Sequence, residues 1–159
     1  MRRLALSFLM ALVAANPAAA EETLDSLKAR LQNASPESRP ELCIRIARYQ
    51  LHNADQLYTE GHVDEARAAV DEIAAYAEQA RDAAVQTGKH LKAIEIDARK
   101  ISERLRDLKR TLAFEDQPSV DQAIRRLEDV RTALLKEMFA KKEKRDNKRE
   151  EKKERMLQP

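Results

Sequence analysis

The chain has 159 residues; 36% are charged and 4% aromatic, with two glycines, five prolines, one cysteine and no tryptophan. So little glycine and aromatic material argues against sheets, tight turns and aromatic-lined ligand cavities, and fits the long helices of one all-α domain. The net charge of +2 gives no case for a nucleic-acid partner, and a lone Cys43 excludes an internal disulfide.

Met1-Arg2-Arg3 is a short basic start. An apolar run from Leu4 to Ala15 follows, broken by Asn16-Pro17 and closed by Ala18-Ala19-Ala20. These are the parts of a secretory signal peptide over 1–20, with Ala18 and Ala20 as the small residues of a cleavage signal after Ala20. The alternative, an uncleaved anchor, needs about 20 apolar residues to span a bilayer, and this run is shorter. No cysteine stands near the cleavage point for lipid attachment, and Arg2-Arg3 is too little for a twin-arginine signal. The expected address is therefore export, to the periplasm or beyond the cell. Removing Arg2 and Arg3 leaves 28 basic against 28 acidic residues, with +4 on residues 141–155 and −4 on residues 21–140.

Leu24, Leu27 and Leu31 mark a short amphipathic helix over about 22–33, interrupted at Ala34-Ser35-Pro36. A second, over about 40–60, carries Leu42, Ile46, Tyr49, Asn53 and Leu57 and ends at Gly61, the residue best suited to a left-handed cap. From Val63 an apolar seam recurs at alternating steps of three and four through Ile73, Ala80 and Thr87 to Leu91, Ile94, Ala98, Ile101, Leu105, Leu108 and Leu112. Gly88 costs roughly 1 kcal/mol in a helix interior, yet the seam keeps its phase across it. One helix over about 63–112 is therefore expected, about 75 Å long, with Glu95 and Arg99 as an i,i+4 pair on its outer surface. A loop at 113–118 precedes a helix over 119–140, opened by a Ser119–Gln122 capping box and lined by Val120, Ile124, Leu127, Val130, Leu134 and Met138. Residues 141–159 form a charged low-complexity tail, either a solvated extension of that helix or disordered.

The expected architecture is all-α: elongated antiparallel helical hairpins over residues 21–140 sharing the long helix, coiled-coil-like after Gly88. The candidate interaction seam is Leu91, Ile94, Ile101, Leu105, Leu108 and Leu112 with Leu127 and Leu134 of the last helix. Such a thin rod fills this seam largely from within but leaves apolar flanks uncovered.

No nucleophile–base pair, glycine-rich phosphate loop or Cys/His ligand spacing occurs. Neither an enzyme nor a cofactor, metal ion or small-molecule substrate is expected. His52, Asp55, Glu60, His62 and Asp64 gather near Gly61, where a solvated helix surface explains them better than a metal site. Cys43 reads as a small apolar residue on a helix face. The tail's interspersed acids weaken any contact with an anionic membrane surface.

The spacing of Ala54, Leu57, Gly61, Val63, Ala66, Val70 and Ile73 resembles a single tetratricopeptide-like helical hairpin over residues 54–73. It lacks the closing proline and a second copy at a 34-residue period. The resemblance implies a well-formed hairpin with an interaction surface and carries over no peptide-binding residue. More broadly, the chain resembles uncharacterised exported bacterial helical proteins. The expected function is a non-catalytic exported protein acting through protein–protein contacts, by self-association as a homodimer or as a scaffold. The alternative is a periplasmic holdase chaperone or envelope-stress protein, although the Leu-Thr-x-x-Gln signature of one such group is missing.

Overall fold

The computed structural model describes residues 22–157; the expected signal segment with Ala18 and Ala20 lies outside the described residues. These form five α-helices and no strand: α1 Leu24–Gln32, α2 Arg39–Glu60, α3 Val63–Thr87, α4 Leu91–Thr111 and α5 Gln117–Leu157, with a single 3-10 turn at Phe114–Asp116 before α5. Thr23 caps α1, its hydroxyl accepting from the Ser26 N–H at 3.3 Å. Gly61 closes α2 at φ +82, and the His62 and Gly61 N–H groups donate to the Leu57 and Tyr58 carbonyls, the paired bonds of a Schellman turn.

The expected single helix over 63–112 is two helices. Gly88 (φ +68) and His90 (φ +63) both take the left-handed conformation. Thr87 closes α3 by donating its hydroxyl to the Ala83 carbonyl at 2.8 Å and accepting from the Lys89 N–H at 3.3 Å. The unbroken seam phase misled because α3 and α4 face one shared core. A three-residue connection from Thr87 to Leu91 preserves the four-residue step whether or not the helix turns back.

Named contacts fix how the helices lie. Gln50 of α2 donates to Glu72 of α3, while Arg126 of α5 holds Glu78 and Lys141 of α5 reaches Gly88 at the end of α3. Lys109 pairs with Asp121, and Arg131 with Glu95, tying α4 to α5 in opposite directions. The most extensive contacts are α2 with α3, α4 with α5, and α3 with α5. α1 lies across this group, with Glu22 bound to Arg45 of α2 and Lys28 to Glu72 of α3.

The core is aliphatic, with Ile44, Ile46, Ile73, Ile101, Leu105, Leu127 and Leu134 almost wholly buried. Each such side chain contributes about 1.5–3 kcal/mol on burial. Along α3 the buried positions are mostly alanine: Ala66, Ala74, Ala77, Ala80 and Ala84. Their small side chains bring both α2 and α5 close to α3's backbone.

α5 starts earlier than the capping box implies. Pro118 occupies its second position, where a missing N–H costs nothing because the first-turn donors have no helical acceptor. Ser119 therefore lies inside the first turn, and its hydroxyl donates to the Asp116 carbonyl at 3.1 Å. At the other end the helix runs without a break to Leu157, through the charged run.

Candidate functional site

Of the eight residues expected to form the seam, Leu91, Ile94, Ile101, Leu105, Leu108, Leu127 and Leu134 are buried, and Leu112 packs half-buried against them. With α4 folded back beside α5, each helix covers the other's apolar stripe. The side chains of the expected seam thus lie in the chain's own interior. The break at Gly88 is the cause, because it converts an open rod into helices grouped around one interior.

Around that interior three carboxylates hold helices together. Glu72 accepts from Lys28 at 2.9 Å and from Gln50; burial pushes its carboxyl up, but these donors outweigh burial and hold it below the usual carboxylate value. Glu78 binds Arg126 through both guanidinium arms, at 2.8 and 2.7 Å, and that pairing holds it low. Glu128 accepts from Ser102, Arg106 and Arg131 at 2.9, 2.7 and 2.8 Å, which overcome burial and lower it too. Glu95 binds Arg131 at 3.1 Å instead of the expected surface partner Arg99, because its position borders α5. With these donors in place each of the three carboxylates ties side chains of separate helices together.

What the core leaves unused is the far part of α5. Lys141 donates to the Gly88 carbonyl at 3.0 Å, at the end of α3. Beyond it α5 continues to Leu157, about 24 Å further at 1.5 Å per residue, with every side chain through Met156 exposed except a half-buried Asp146. Leu127, Val130, Leu134 and Met138 mark the inward stripe of α5. The same three-and-four spacing continues through Lys141, Arg145, Lys148 and Lys152. At about 100° per residue, all nine Lys and Arg of residues 141–155 fall in a sector of roughly 180° centred near that stripe. The five acids fill the opposite side. Charges that look interspersed along the chain are thus segregated on the helix. The signal was present in the sequence, but only a helical period applied to charge reveals it.

No protein-family model matches this chain, nor does any curated protein or solved structure.

Other candidates offer less. Among the described residues no group of three or more His, Cys, Asp or Glu is arranged to hold a metal ion, and His62 stands 3.7 Å from Glu65 on an open surface. Cys43 is buried, and burial pushes its thiol up to about 11, which suppresses the reactive thiolate at neutral pH. The cleft between α2 and α4, lined by Arg48, His52, Asp55 and Arg104, mixes both charges, and Arg48 already faces Asp97 at 3.6 Å. No described helix is long and apolar enough to cross a membrane.

Proposed function

We propose that this protein is a non-catalytic, exported helical scaffold that works by protein–protein contact, through self-association. The observation that carries this reading is the pairing of a closed aliphatic core with an exposed helical arm. The seam is filled from within, yet α5 extends well past the end of α3 with no packing of its own. A helix of that length is marginal in water by itself; here it grows from a packed helix, which presents its side chains in fixed order. The tetratricopeptide-like hairpin at 54–73 is consistent with an interaction protein, although Ala54, Ala66, Val70 and Ile73 are buried and belong to the scaffold. Export rests on the 1–20 segment.

A holdase has thinner support. The exposed large apolar side chains, Phe114, Phe139 and Met156 among them, are scattered singly and form no broad client surface. Light scattering of the purified protein across a concentration series tests the proposal. A mass that rises above the monomer supports it, and a constant monomer mass at every concentration rejects self-association.

A further inference from the structure

The two ends of the helical body differ in charge and in what they expose. One end, where α3 stops, carries the overhanging arm with its basic face turned inward. The opposite end is built from the Gly61 turn and the Phe114–Asp116 turn, joined by Arg67 to Asp116 at 2.7 Å and by Tyr58 to Ser119 at 3.4 Å. It displays Glu60, Asp64, Glu65 and Glu115, all exposed. Among the described residues no Lys or Arg pairs with Glu60, Glu65 or Glu115; Glu65 meets only His62. Phe114, which opens the second of these turns, is 85% exposed.

We propose that the basic inner face of the α5 arm seats on this acidic turn end of a second copy, joining copies head to tail. The inference rests on the self-association reading and names its two surfaces. Three observations select a second copy. The residues from 21 onward balance to zero as +4 on the arm and −4 on the body, so the body of a second copy is opposite in sign to the arm. The basic face points to the side on which the body stands, because Arg145, Lys148 and Lys152 continue the core-facing stripe. A flat bilayer laid against that face would meet the end of α3 first, whereas the end of another body fits beneath the overhang. A nucleic-acid duplex, attracted to the arm, would lie against a body of its own sign. Joining unlike surfaces is a head-to-tail contact, which builds a ring where the rotation between copies closes and an open chain of copies where it does not.

The test is a charge-swap cycle on the whole protein, read by sedimentation velocity over a concentration series at about 50 mM and about 500 mM salt, where screening differs strongly. The arm variant carries Arg145→Glu, Lys148→Glu and Lys152→Glu; the end variant carries Glu60→Lys, Glu65→Lys and Glu115→Lys. All six positions are exposed, and circular dichroism checks that helicity is kept. The expected result is a mass that climbs with concentration at low salt and falls at high salt. Each variant alone should weaken association about tenfold or more, since like charges brought face to face repel, and an equal mixture of the two variants should recover pairing. A self-associating protein indifferent to both variants would sink the head-to-tail contact while leaving the scaffold reading intact. A monomer at every concentration would remove both, and a monomer that binds phosphatidylglycerol vesicles or a DNA duplex through the arm would replace the second copy with that partner.

Discussion

Lys141 Nζ lies 3.0 Å from the carbonyl oxygen of Gly88, so α5 supplies a cation to the carbonyl end of α3, where the helix dipole favours positive charge. The same contact marks where the helical body stops and the free arm begins. It also makes Gly88 a different glycine from Gly61. A Cβ at Gly61 would meet nothing, whereas one at Gly88 would collide with Lys141 Nζ.

Both glycines adopt positive φ, which costs other residues roughly 1–2 kcal/mol. Gly61→Ala should therefore destabilise the fold by about 1 kcal/mol, and Gly88→Ala by a similar amount plus a small extra for moving the flexible end of Lys141 aside. In a Lys141→Ala background the Gly88→Ala cost should fall to that of Gly61→Ala. Urea unfolding of the four variants measures this; equal costs in both backgrounds would show the contact to be energetically idle.

His90 holds the left-handed conformation without being glycine. His90→Gly should stabilise the protein by about 0.5–1 kcal/mol, the relief of backbone strain less the added freedom of the unfolded chain. A lower urea midpoint in the variant would mean that the imidazole contributes more than its backbone costs.

Leu105 and Leu127 are wholly buried. Replacing either with alanine should cost about 2–5 kcal/mol in unfolding free energy while leaving the affinity between copies unchanged. A variant that keeps its stability but loses self-association would return the seam to the role of an interface.

Glu72, Glu78 and Glu128 all have carboxyls held below the ordinary value of 4.5. Each binds its proton less readily folded than unfolded. Their contribution to stability is thus complete above about pH 5 and drains away as pH falls through 4.5 and on through the folded values. Thermal melting between pH 6 and pH 3 should show the midpoint falling with acid, and Glu78→Gln should flatten part of that slope. Because these carboxylates are a third or more exposed, solvent screening keeps each share modest.

Cys43 is 1% exposed, and its thiol is pushed up to about 11. At pH 8 a thiol reagent should modify it only as fast as the chain opens, with the rate rising steeply in urea. Rapid, urea-independent labelling would place the sulfur at the surface.

The sequence by itself determined the helical class, the ends of α1 and α2, the cap at Gly61 and the identity of the apolar stripes. Each of these follows from local causes: composition, a three-and-four period, a proline or a glycine. It also contained the two-faced charge of the arm, since a continuous helix fixes the angle of every side chain. Tertiary structure decided whether the chain turns at Gly88. One phase serves a straight helix and a reversed pair equally when both segments face the same core, and the turn is also met by Lys141, 53 positions away. It decided that Glu95 pairs with Arg131 and not Arg99, that Glu72, Glu78 and Glu128 tie separate helices together, and that the seam is interior. Those outcomes depend on side chains brought together from distant parts of the chain, and a period read along one helix carries no record of its neighbour.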